Sequence, residues 1–198
     1  MREIALDTQA ATTVAIVDNG SVIARAHNDS GHHHAESITP LVREALSAAG
    51  LPAELADAGI DRILVGTGPA PFTGLRAGLV SARVLAAVAG VPAYGVSALD
   101  VIARQGLDLL APDARVYAIA DARRRELYWG AFVAAGPDDV TLEGRLEVGG
   151  VSTLLSAMRS APGLVVAGAP IPAHSADALA RADLGPQVSL DPAVMSRI

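Results

Sequence analysis

Gly66-Thr67-Gly68-Pro69-Ala70-Pro71-Phe72-Thr73-Gly74-Leu75-Arg76-Ala77-Gly78 is the stretch whose reading decides the fold of this chain. The apolar run Ile63-Leu64-Val65 before it reads as a buried strand, and the apolar segment 79–89 after it has helical composition. A strand therefore passes into a helix through a turn rich in Gly and Pro. Glycine admits positive φ and close backbone approach, while Pro69 and Pro71 stiffen the path. Thr73 is placed to cap the helix, which would turn free N–H groups and a positive helix end toward an anion. A tight strand-to-helix turn that keeps glycines only for packing has the same pattern, and both readings stay open at this stage.

Composition narrows the choice. The chain has no lysine, its 15 basic residues all being Arg, and a Walker loop needs a Lys that reaches the β- and γ-phosphates. Against 21 acidic residues the net charge is −6, which argues against unaided binding of nucleic acid. The count of 0 cysteines excludes thiolate nucleophiles, disulfides, zinc ribbons and iron–sulfur clusters. No apolar run reaches the ~18 to 20 residues of a membrane span, and Met1-Arg2-Glu3-Ile4 enters a strand with no leader-like apolar region. The expectation is a cytoplasmic protein without membrane association.

Outward from the turn, residues 4–6 read as a strand ending at Asp7-Thr8-Gln9. Residues 12–17 and 21–26 make two more, joined by the hairpin signal Asp18-Asn19-Gly20. A helix over 35–49 carries Ile38, Leu41, Val42 and Ala45 on one face. His32-His33-His34 stand before it, but neighbouring helical residues point about 100° apart and cannot converge on one ion, so no metal site is expected. The helix over 73–89 is apolar nearly all round, and such a helix is buried in its own domain or docked on another chain. Residues 116–120 then repeat the opening: a strand ending at Asp121, a short turn through Arg123-Arg124-Arg125, and a strand from Glu126. Two lobes on one plan follow. That is the α/β architecture of actin-like and sugar-kinase-like (ASKHA) folds, with a full lobe over 1–97 and a reduced one over 98–198. Beyond Gly136 the pattern weakens, and a helix starting at Asp191-Pro192 is cut off at Ile198, so the chain is expected to stop short of a natural terminus.

The chain resembles the bacterial TsaB family, also called YeaZ. The resemblance rests on Leu6-Asp7-Thr8, His34-Ala35-Glu36, the stretch 66–78, Gly95-Val96-Ser97-Ala98-Leu99, and Asp121-Ala122-Arg123 with Glu126-Leu127-Tyr128. Two departures stand out: Ala70-Pro71 where the family usually has Gly-Ser, and Gln9 where it often has Ser. Both remove groups suited to a phosphate cradle. The resemblance implies a non-catalytic subunit that docks on a TsaD-type transferase and enables it to threonylcarbamoylate adenosine 37 of ANN-decoding tRNAs. It also implies a TsaE-type ATPase in the complex, tRNA reached through that complex, and a homodimer when the chain is alone. The implied docking surface is the helix pair, with Ile38, Leu41, Val42 and Ala45 on the first helix and Thr73, Gly74, Ala77, Gly78, Ser81, Ala82 and Leu85 on the second. Asp7, Thr8, Gly66 and Gly68, with Asp121 and Arg123, would outline a vestigial nucleotide cleft. No catalytic residue, metal or cofactor is expected for the isolated chain, ATP and Mg²⁺ belonging to the assembled complex. A stand-alone ATP-binding kinase or ATPase of the same fold is the alternative. A peptidase lacks its groups here, since there is neither a His-Glu-x-x-His pair nor a Gly-x-Ser-x-Gly elbow.

Overall fold

Along β1 (Arg2–Asp7), Ile4 and Leu6 point to one side of a sheet and Glu3, Ala5 and Asp7 to the other. Both sets are buried, so this strand is covered on both faces. β2 (Thr12–Asp18) and β3 (Ser21–Asn28) extend it antiparallel, with Ile4 opposite Ile16 and Leu6 opposite Val14. Asn19 and Gly20, at φ 50° and 77°, close the β2–β3 hairpin. On its other edge β1 pairs in parallel with β4 (Arg62–Gly66), which pairs in parallel with β5 (Ala93–Val96). The order is β3-β2-β1-β4-β5.

α1 (His34–Ala48) and α2 (Phe72–Ala89) cover the Ile4 and Leu6 face. Ile38, Leu41, Val42, Ala45 and Leu46 of α1 join Ala82 and Ala86 of α2 in one apolar core with Val14, Ile16, Ile63 and Val65. Each large aliphatic buried there contributes on the order of 1.5 to 3 kcal/mol. A 3₁₀ turn over Pro192–Ser196 lies on the opposite face, where Ala193 packs on Ala15 and Val17. Polar pairs hold it: the Arg25 guanidinium meets Asp191 at 2.7 Å, and the Ser196 hydroxyl donates to Glu3, whose other oxygen takes the Arg62 guanidinium.

A computed structural model describes residues 1–29, 34–70 and 72–198. They form two units, Met1–Ala98 with Asp191–Arg197, and Leu99–Leu190 with Ile198. The tail thus belongs to the first unit and not to the second lobe, because its apolar Pro192, Ala193, Val194 and Met195 are buried. His32, His33 and Pro71 lie outside the described residues, as does the side chain of His34.

In the second unit β6 (Arg115–Arg123) is central. β7 (Glu126–Ala135) and β8 (Asp139–Gly149) follow it antiparallel, and β9 (Leu164–Ala167) pairs with it in parallel, giving β8-β7-β6-β9. α3 (Ala98–Leu107) packs Leu99, Ile102, Ala103 and Leu107 on Val116, Ala118, Phe132 and Val166. The other face carries Leu154 and Met158 of α4 (Val151–Ser160) and Leu179 of α5 (Ala173–Leu179) against Tyr117, Ile119, Leu127 and Trp129. The order three-two-one-four recurs, minus the fifth strand and minus the long α2 counterpart. This is the two-lobed actin-like, sugar-kinase-like plan with a reduced second lobe.

Candidate functional site

β1 ends at Asp7 beside the end of β4 at Gly66, since Leu6 pairs with Val65. Asp7 is 4 % exposed, and burial pushes its carboxyl up to about 6, against the backbone N–H of Gln9, which donates to it at 2.7 Å and lowers it. A Cβ on Gly66 would overlap Asp7 Oδ2, and one on Gly78 would lie 2.6 Å from Thr8 Oγ1. The Thr8 hydroxyl instead donates to the Gly74 carbonyl at 2.8 Å, and Gln9 Nε2 donates to the Pro69 carbonyl at 3.0 Å. Gly68 is different in kind: its φ of 86° demands glycine, and its carbonyl accepts the Ala98 N–H at 2.7 Å.

Two glycines of the signature are therefore filled by the chain's own side chains. Asp7 and Thr8 lock β1 to the turn and to α2. The spaces beside Gly66 and Gly78 are taken by Asp7 and Thr8, and the Asp7 carboxyl is buried. Thr73 lies inside α2, which begins at Phe72, so it is not the capping residue the sequence pattern implied.

α2 carries two rows at four-residue spacing on opposite sides. Gly74, Gly78, Ala82 and Ala86 form the inner row, buried and small enough for close approach to the sheet. Phe72, Arg76, Val80, Val84 and Val88 form the outer row. Its apolar members are 71 %, 61 %, 56 % and 58 % exposed in that order, and Arg76 lies over the Phe72 ring at 5.0 Å. This geometry corrects the expected docking surface. Ile38, Leu41, Val42 and Ala45 are sealed in the first unit's own core, as are Gly74, Gly78 and Ala82, while Leu85 packs half-buried at its margin. Of the predicted residues Thr73 is exposed, and Ala77 and Ser81 are half-buried. α2 is also 18 residues long and apolar enough for the length and composition of a membrane span, contrary to the sequence reading. Its small inner row is seated on the sheet.

In the second unit Asp121 repeats a detail of Asp7: its Oδ1 accepts the N–H of the residue two places on, here Arg123, at 2.8 Å. Unlike Asp7 it is open, its side chain 36 % exposed and 3.6 Å from the Arg123 guanidinium. Among the described residues no group of three or more His, Asp or Glu side chains gathers as a metal site. A cavity of about 690 Å³, unsuspected from the sequence, opens where α4 faces α5 between Met158, Arg159, Asp177 and Arg181.

Comparison with known proteins bears on these features. The TsaD family, tRNA N6-adenosine threonylcarbamoyltransferase, matches residues 24–153. An uncharacterised protein of Mycobacterium tuberculosis strain H37Rv is 37 % identical over 170 residues, 84 % of this chain and 72 % of that one. The tRNA threonylcarbamoyladenosine biosynthesis protein TsaB of Escherichia coli K12 is 37 % identical over 134 residues, covering 67 % of this chain and 55 % of that protein. The match thus spans little more than half of that relative. The solved structure of YeaZ from Pseudomonas aeruginosa superposes with a TM-score of 0.65 at 31 % identity, over 74 % of this chain and 66 % of that one.

Proposed function

Since the chain belongs to the TsaB (YeaZ) family within the wider TsaD family, we propose that it acts in tRNA threonylcarbamoyladenosine biosynthesis as a non-catalytic activating subunit. It docks on a TsaD-type transferase that modifies adenosine 37 of ANN-decoding tRNAs. The observation that carries this reading is the outer row of α2, four large apolar side chains left in water on a unit whose own strand-end site is filled. Exposing such a row on an isolated monomer is costly, and a partner that covers it recovers the burial. A TsaD-type partner suits it because the TsaD family pattern runs through α1 and α2 of this chain. Like-folded subunits can then lay equivalent helices against each other.

The remaining parts of the reading follow the same division of labour. A TsaE-type ATPase joins the complex, ATP and Mg²⁺ act there and not in this chain alone, tRNA is reached through the assembly, and the location is cytoplasmic. Without the transferase the outer row closes on a second copy, the isologous contact being the commonest way to cover such a patch.

The test is Val84→Glu, which places a charge on the exposed row without touching the core. The monomer's melting temperature should stay within about a degree of the parent. Affinity for the TsaD-type subunit, measured by calorimetry, should fall by roughly 30-fold or more, as for a central interface residue. Modification of tRNA from bicarbonate, threonine and ATP should fall in step. Undiminished affinity, or ATP turnover by the purified chain alone, overturns the reading.

A further inference from the structure

The hairpin between β6 and β7 is built against the conformational preference of its residues. Arg123 pairs with Glu126 across a two-residue tip, and Arg123, Arg124 and Arg125 have φ of 64°, 50° and 68°. Among the described residues, positive φ otherwise falls on glycines and on Asn19. A tip of this kind is ordinarily Asn-Gly, as this chain itself uses at Asn19-Gly20. Side chains with a Cβ resist the left-handed region, and three in succession accumulate strain. Nothing in the packing demands arginine there, because all three are exposed. What the three share is a guanidinium.

Their electrostatics point the same way. Arg123 is oriented by Asp121, which takes its N–H and lies beside its guanidinium. Arg124 and Arg125 have no carboxylate partner among the described residues, although the chain carries more acids than bases. A guanidinium offers a planar fork of donors that matches the oxygens of a phosphate. We propose that the Arg123–Arg125 tip is a phosphate-contact site, and that the phosphates are those of a tRNA backbone. The second half rests on the function proposed above. An open tip with no enclosing walls suits a polymer whose phosphates pass over it, whereas a free nucleotide is held in a concave site. A net charge of −6 keeps the remainder of the surface unfavourable to a polyanion, so the contact is local.

The decisive variant is Arg124→Asn combined with Arg125→Gly, which installs the preferred turn residues while removing two charges. Fluorescence anisotropy with tRNA is read on the chain alone and in complex with the TsaD-type subunit, and ATP binding is read by calorimetry. Relief of strain should raise the melting temperature by about 4 °C, so a folding defect cannot imitate the result. Affinity for tRNA at 0.1 M salt should fall about tenfold, and the slope of log affinity against log salt should flatten by roughly 1.5 to 2. The charge-matched control Arg159→Ala with Arg181→Ala should leave both unchanged. Unaltered affinity and slope in the tip variant overturn the proposal. Loss of ATP binding in place of tRNA binding overturns its assignment to RNA. The two readings fail separately: a chain that never docks on the transferase defeats the proposed function, whereas intact docking with an unaltered affinity and salt slope for tRNA in the complex defeats the tip alone.

Discussion

Asp7→Asn offers the sharpest test of the strand-end lock. Burial raises the Asp7 carboxyl from 3.8 to about 6, a difference of about 2 units at 1.36 kcal/mol each, or about 3 kcal/mol. The folded state holds this proton more tightly than the unfolded chain does, so the protonated form stabilises the fold. That contribution is full below pH 3.8 and is lost as pH rises through about 6. Asparagine keeps the acceptor for the Gln9 N–H and roughly the same volume beside Gly66 but does not titrate. The variant should therefore gain on the parent as pH rises, about 2 kcal/mol of the total appearing between pH 4.5 and 7.5. Urea unfolding at half-unit pH steps, with m-values checked for constancy, reads this directly. Parallel stability curves for parent and variant across that window would refute the claim that Asp7 is sealed.

Other substitutions probe the same packing. Gly78→Ala gains about 1 kcal/mol of helix propensity, yet its Cβ would meet Thr8 Oγ1 at 2.6 Å; a net loss of about 1 to 2 kcal/mol is expected, and Thr8→Ala in the same chain should recover part of it in a double-mutant cycle by denaturant midpoint. Arg62→Met removes the guanidinium from Glu3, which is 1 % exposed. It should destabilise by about 3 to 5 kcal/mol, and the pair Glu3→Leu with Arg62→Met should be milder than Arg62→Met alone. By contrast Glu143→Gln, which breaks the half-exposed pair with Arg115, should cost under about 1 kcal/mol at neutral pH. The hydrogen bond from Arg115 holds the Glu143 carboxyl below its usual value. What the pair contributes should therefore fade only as pH falls through that lowered value, which a thermal melt series from pH 7 to 3 would show.

The strand, turn and helix around Gly66 were legible because strand and helix differ in period and because Gly and Pro mark the junction. The repeated strand was legible for the same reason, although β6 runs on past the expected end at Asp121 to Arg123. β8 was not: an edge strand with most of its side chains in water has no buried face to impose alternation. That most of the expected docking residues are buried has a related cause. A stripe such as Ile38, Leu41, Val42 and Ala45 records that a helix face is apolar and not whether its own sheet or a partner covers it. The signal that would have separated the two rows of α2 was size. Gly74, Gly78, Ala82 and Ala86 are too small to anchor an interface but suit close seating on a sheet, whereas Phe72, Val80, Val84 and Val88 are large and lie on the opposite side. Glycine in the signature was likewise ambiguous, since the letter does not say whether φ or space requires it. Gly68 needs the first and Gly66 the second.

Asp7 and Asp121 show how one local device comes to serve two ends. Each takes the N–H two residues ahead, at 2.7 and 2.8 Å, Asp7 at the end of β1 and Asp121 two residues before the end of β6, a turn that costs little and fixes the chain direction. In the first unit the next side chain is Thr8, whose hydroxyl reaches into α2, and the carboxylate is stopped by the bare edge of Gly66. Both side chains are buried inside the fold. In the second unit the same bond instead orients Arg123 at an open tip and is followed by two further arginines in a conformation they resist. A sealed copy can lose its charge to asparagine and gain stability, whereas an open copy held under strain can be relaxed only by giving up its cations. The opposite signs expected for function and stability in the Arg124→Asn, Arg125→Gly chain, beside the purely stabilising Asp7→Asn, are therefore one argument about where this fold still faces a ligand.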